Sequence, residues 1–235
     1  MARILLVQSR ITPARIARER DNFRRVLGTE ATLEALSALD TEFEWNKPDI
    51  SLRAYDGVIF GGSADFDFHG GRLERDPARV GATEILERTK HFIRYALEKK
   101  IPLLGVCFGH QLVAQMHGGR VENDPSQGKF GEHDVRLTSE GARDEIFGTF
   151  PQSFRAHYQH KDSVTTMPKS AVLLATGATC RFSALKYSDG AYTVQFHPEL
   201  RCQSATCQKE HGLSEAAPVI SRWIERVVRP KAKRS

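Results

Sequence analysis

Short, uninterrupted apolar runs alternate in the first half of the chain with stretches whose apolar positions recur at helical spacing. Residues 3–8, 57–60 and 102–106 are such runs, each closed by polar residues or glycine, and they predict buried strands. Residues 22–39 and 84–99 carry the helical spacing, the second through Ile85, Leu86, Thr89, Phe92, Ile93, Ala96 and Leu97. Strands without polar alternation suit a parallel sheet covered on both faces. A further helix is expected over about 110–117, stopped by Gly118-Gly119. Beyond it the rhythm changes. Residues 134–137, 153–157, 171–175, 182–187 and 191–196 read as shorter strands separated by turns such as Ser188-Asp189-Gly190, which predicts an added antiparallel layer. An amphipathic helix over about 216–228 follows, with Val219, Ile220, Trp223, Ile224 and Val227 on one face. There is no internal repeat or low-complexity tract.

A length of 235 residues, 40% of them hydrophobic and 27% charged, fits one well-packed domain spanning 1–235. No apolar run reaches the roughly 20 residues needed to cross a bilayer. The N-terminus reads as a strand rather than a signal sequence, so a cytoplasmic protein without membrane contact is expected. Cys107, Cys180, Cys202 and Cys207 form no CxxC pair and no disulfide framework; reduced thiols are expected, with Cys202 and Cys207 at the surface. The net charge of +5 concentrates in two places. One is the stretch from Arg10 to Arg25, which holds Arg15, Arg18, Arg20 and Arg24 as well; the other is the tail 229–235, expected to be frayed. A solvated helix face is preferred over nucleic-acid contact. The arginines also follow the first strand, where a βα loop can edge a pocket, so Arg15 and Arg18 are candidates for meeting an acidic group.

Gly105-Val106-Cys107-Phe108-Gly109 lies between an apolar strand and a helix, the setting of a nucleophile elbow. Its glycines relieve crowding, and the helix N-terminus offers amide donors and positive potential that favour a thiolate. Alone, the pattern is equally that of a small buried thiol. A second segment, Gln195-Phe196-His197-Pro198-Glu199, ends a strand. Residues i and i+2 of a strand share a face, so Glu199 is placed to orient His197, which would take and return the proton of Cys107.

Together with Gly61-Gly62-Ser63 after the strand Val58-Ile59-Phe60, these segments resemble the class I glutamine amidotransferases. The resemblance spans roughly residues 55–200. It extends to the amidotransferase part of guanosine monophosphate synthetase and to the stand-alone γ-glutamyl peptidases. It implies an α/β, flavodoxin-like doubly wound, mostly parallel sheet with helices on both faces and a small antiparallel sheet added in the C-terminal half. It also implies Cys107, His197 and Glu199 as catalytic residues, the N–H groups of Gly62 and Phe108 as the oxyanion hole, and Gly61 and Gln111 at the substrate. The stretch from His160 to Val164 resembles the family's His-x-Asp-x-Val segment, which makes His160 and Asp162 site-wall or loop-ordering residues. Ser63 departs from the proline common at that position, and Arg201 to His211 is an unfamiliar polar insertion.

The implied reaction is attack of Cys107 on the γ-carboxamide, loss of ammonia and hydrolysis of a thioester, with no metal and no organic cofactor. The histidines show no convincing metal spacing, His157 and His160 coming nearest. The chain runs only a short way past Glu199, so no fused synthetase domain is expected. That leaves three functions: a hydrolase of glutamine or γ-glutamyl compounds acting alone, a glutaminase subunit serving a separate synthetase, or a non-catalytic binding or regulatory module on the same scaffold. The oligomeric state is not legible.

Overall fold

The computed structural model describes residues 1–188, 190–202 and 212–232. A nine-stranded sheet runs through it. In chain order the elements up to the nucleophile segment are β1 (Ala2–Gln8), α1 (Pro13–Leu27), β2 (Ala31–Ser37), α2 (Pro48–Ser51), β3 (Gly57–Phe60), α3 (Pro77–Glu98) and β4 (Leu103–Val106). Then come α4 (Phe108–Met116), β5 (Arg120–Asn123), β6 (Lys129–Leu137), α5 (Ser139–Arg143), β7 (Ser153–His160), β8 (Asp162–Thr166), β9 (Val172–Gly177), β10 (Ala184–Ser188) and β11 (Ala191–Val194). The sheet order is β2-β1-β3-β4-β11-β10-β9-β6-β7, and β5 pairs with β8 in a separate two-stranded sheet. The pairs joining β2, β1, β3, β4 and β11 are parallel, whereas the remaining pairs are antiparallel.

Side chains of the parallel strands alternate between two buried layers. Ile4, Leu6, Ile59, Leu104 and Val106 face Phe23 and Val26 of α1 and the C-terminal Val219, Ile220 and Trp223. Leu5, Val7, Val58, Phe60 and Leu103 face Ile85, Phe92 and Ile93 of α3 and Leu112 and Val113 of α4. Helices therefore cover both faces, as the unbroken apolar runs require. Each large apolar side chain so enclosed contributes about 1.5–3 kcal/mol of burial.

Several boundaries differ from expectation. Residues 22–39 are not one helix: α1 starts at Pro13 and ends at Gly28, whose φ of 54° suits glycine, and Ala31–Ser37 pairs with β1. Thr32-Leu33-Glu34-Ala35-Leu36 is rich in helix formers, but backbone pairing at the sheet edge decides its state. Helix α3 begins well before its apolar stripe, because Asp76 accepts the Ala78 N–H and Pro77 opens the helix. The antiparallel strands extend the main sheet, while the small separate sheet is made by β5 and β8, both too short and polar to be expected. At the C-terminus Pro218–Trp223 continues through Ile224–Val228 and Arg229–Ala232. Arg229 pairs with Glu30, so the start of the basic tail is helical and held; residues 233–235, Asp189 of the expected turn and 203–211 of the insertion lie outside the described residues. Among the described residues no helix is long and apolar enough to cross a membrane.

Candidate active site

The C-terminal ends of β1, β3, β4 and β11 lie side by side, where open α/β sheets place their ligands. Cys107 leaves β4 with φ 53° and ψ −101°, a positive-φ conformation costly for a residue with a side chain, and caps α4. Its flanking glycines are sterically required. A Cβ on Gly109 would lie 2.2 Å from the Phe60 carbonyl oxygen, and one on Gly105 would lie 2.8 Å from the Gly109 carbonyl oxygen and from Thr193. The elbow is thus wedged between β3 and β11, and the Cys107 N–H is bonded to the Val194 carbonyl at 2.8 Å.

On the neighbouring strand, β11 ends at Val194 and the His-Pro-Glu segment follows in a turn, so strand alternation is not what joins its two polar groups. The His197 N–H is held by the His157 carbonyl at 2.8 Å, and His197 Nδ1 donates to Glu199 Oε1 at 2.7 Å. This leaves Nε2 for the Cys107 side. Both side chains are almost wholly enclosed, at 4% and 2% exposure. Burial disfavours an imidazolium, but the Glu199 carboxylate and Cys107 outweigh it and hold the His197 pKa well above its ordinary value. Cys107 and His197 share a cavity of about 150 Å³ with Arg10, Phe66, Asp67 and Lys161. It is smaller than the roughly 300–1,000 Å³ of drug-sized pockets and admits one small molecule.

The family model for class-I glutamine amidotransferases matches residues 34–209. The chain belongs to the class I glutamine amidotransferases. It is 30% identical to a glutamine-hydrolyzing GMP synthase subunit of Pyrococcus furiosus over 80% of this chain and 82% of that protein. The corresponding subunit of Methanocaldococcus jannaschii is 34% identical over 49% of this chain and 60% of its own length, so the chain spans less than two thirds of that relative. In structure it resembles a candidate GMP synthase subunit of Thermoplasma acidophilum, with a TM-score of 0.69 at 20% identity, over 100% of this chain and 98% of the other.

In this amidotransferase Phe108, Gln111, His160 and Asp162 line the same cavity. Gln111 is buried on α4, donating to the Asp162 carbonyl at 2.7 Å and to Gln195 Oε1 at 3.3 Å. His160 Nδ1 is bonded to the Asp162 carbonyl at 2.9 Å, so Nε2 remains an acceptor that no described group engages. Burial pushes the His160 pKa down to about 4, which keeps the ring neutral. The Asp162 carboxylate accepts the N–H groups of His69 and Gly70 at 2.7 and 2.6 Å, ordering the loop that lines the site, and Phe68 of that loop stacks on Phe108 at 5.2 Å.

Phe108 opens α4, where the first amides have no partner within the helix. Gly62 differs from expectation: its N–H donates to Glu19 Oε1 at 3.0 Å. Glu19, on α1 and 3% exposed, also accepts from Arg10 Nη2 at 2.9 Å and from Gln8 at 3.0 Å. Burial lifts the Glu19 pKa, and the Arg10 guanidinium works against that rise. A side chain at Gly61 would displace the Glu19 carboxylate, since a Cβ there would lie 2.7 Å from Glu19 Oε1. Nothing in the motifs marks Glu19; the signal available is that it and Asp21 are the two acids among the arginines of residues 10–25. Arg15 pairs with Asp65, and with Arg18 it lines a second cavity of about 250 Å³ that reaches His197 and Glu199.

Cys180 is buried and free, and burial lifts its pKa to about 11. Cys202 corrects the surface-thiol reading: it is buried and disulfide-bonded, while Cys207 lies outside the described residues. Among the described residues no group of three or more His, Cys, Asp or Glu side chains is placed to hold a metal ion.

Proposed function

We propose that this amidotransferase hydrolyses the γ-carboxamide of glutamine through a Cys107 thioester and passes the ammonia to a separate synthetase subunit. The enclosed contact between His197 and Glu199 beside Cys107 carries the chemical part of this reading. In this reading the Cys107 proton passes to His197, whose imidazolium the Glu199 carboxylate supports. The sulfur attacks the amide carbon, the departing ammonia takes the His197 proton, and water then cleaves the thioester with His197 as base. The Phe108 N–H faces the developing oxyanion. Asp67, Lys161 and the free acceptor of His160 give the cavity both signs of charge and an acceptor, which suits zwitterionic glutamine. Residues 1–235 act as one domain in this reading, supported by the sheet that runs through both halves.

The delivery of ammonia is supported by the relatives, which are named as subunits of a glutamine-hydrolyzing GMP synthase. It displaces the expectation of a hydrolase acting alone as the leading reading. Glutamate and ammonia release from glutamine would be measured with purified protein, alone and with a synthetase subunit, beside Cys107→Ala. Wild-type turnover at least about 10⁴-fold above the variant is expected, with stimulation by the second subunit. Turnover that survives in Cys107→Ala removes the thioester mechanism, and full activity without any response to a synthetase removes the subunit role.

A further inference from the structure

We propose that Arg10 is a catalytic residue, its guanidinium taking the oxyanion-stabilising place that Gly62 N–H would otherwise fill opposite Phe108; this rests on the glutaminase reading above. The Gly62 N–H points at a carboxylate, and an amide engaged by Glu19 cannot also face a developing negative charge. A bare carboxylate at that distance would oppose such a charge. Glu19, however, brings a cation with it.

Arg10 follows closely on the end of β1, lines the cavity beside Cys107, and has only 13% of its side chain exposed. A Cβ placed on Gly62 would lie 3.4 Å from Arg10 Nη2, 3.5 Å from Cys107 Cβ and 3.0 Å from His197 Cε1, so the three groups surround one point. Glu19 engages Nη2, while Arg10 Nε is buried without a partner. A guanidinium has five N–H donors in a fixed fork, so its capacity exceeds what Glu19 uses. Buried donors left unsatisfied call for a reason, and a charge that appears only during reaction is one.

In the step served, the Cys107 sulfur forms a bond to the γ-carbon and the carbonyl π pair moves onto oxygen. Arg10 and the Phe108 N–H stabilise that oxygen. The pair then returns, the C–N bond breaks, and the nitrogen leaves as ammonia with the His197 proton. Arg10 changes neither protonation nor bonding. Its field acts in an enclosed site, where a fixed charge needs no reorganisation.

The test is the neutral pair Arg10→Gln with Glu19→Gln, which keeps an acceptor for the Gly62 N–H and removes the cation. Relative to wild type assayed with its synthetase partner, kcat for glutamine should fall about 10²-fold while KM stays within about threefold. A kcat unchanged or raised overturns the proposal, a rise meaning that Glu19 restrains the loop. Should the pair not fold, as judged by its thermal transition, Arg10→Lys carries the test, because it keeps the ion pair but removes the planar fork. A drop of about tenfold in kcat at constant KM is then expected, and unchanged kcat overturns the role. The glutaminase reading fails separately, through wild-type protein that shows no Cys107-dependent turnover.

Discussion

Two buried carboxylate–cation pairs stand on either side of Cys107, and their cations differ in whether they can lose a proton. Glu199 holds His197 at 2.7 Å, and Glu19 holds Arg10 at 2.9 Å. Both carboxylates are almost fully enclosed. Glu199 acts on an imidazole, a group whose ordinary pKa lies near neutrality, so its effect is to raise that pKa and fix a tautomer. Glu19 acts on a group that stays charged at any working pH, so it can set only where the charge stands. The same pairing thus tunes a proton on one side and a position on the other.

The largest effect that would break this contrast comes from Glu199→Gln. Loss of the carboxylate should lower kcat by about 10²- to 10⁴-fold and move the alkaline limb of kcat/KM to lower pH, because the His197 imidazolium loses its main support. A pH–rate profile with an unmoved limb contradicts the assigned role. Glu19→Gln alone should cost about tenfold in kcat, from a looser Arg10, and leave both limbs where they were. Steady-state profiles of the two variants side by side expose any overlap of roles.

The smallest effect is on stability. The His197 pKa is raised in the folded protein, so the pair's contribution is fully present below about pH 6.5, the unfolded value, and is lost as pH rises through the folded pKa. Between those points unfolding free energy should fall by up to about 1.4 kcal/mol per pH unit for this one proton. Denaturant titrations of wild type minus Glu199→Gln isolate that slope. Arg10 adds no slope over the same range, being charged in the folded and the unfolded chain alike.

The two pairs also differ in how far they could be read from sequence. Cys107, His197 and Glu199 sit in segments whose glycines, proline and order announce a turn; Cys107 and His197 line one cavity, and Glu199 is bonded to His197. Their geometry was less legible: the histidine and glutamate meet in a turn beyond β11, since sheet pairing stops at Val194. Arg10 and Glu19 show no motif. Their contact depends on where α1 begins, and residues 22–39 hid that start by mixing the end of a helix with an edge strand of helix-forming residues. Apolar periodicity locates cores well; it carries little information about a polar pair buried at the end of one strand. Likewise β8, which brings Asp162 beneath the site loop, was too short and polar to register.

The order of the strands carries one more consequence. The last of the described strands in chain order, β11, is also the central strand of the sheet, inserted between β4 and β10. Cys107 therefore does not meet His197 when its own strand and helix have formed; it does so only once β11 has been placed beside β4. A chain in which β11 is not yet in place holds Cys107 without the imidazole beside it. Under the proposed glutaminase reading, the pairing of Cys107 with His197 is in this way deferred until the middle of the sheet is closed.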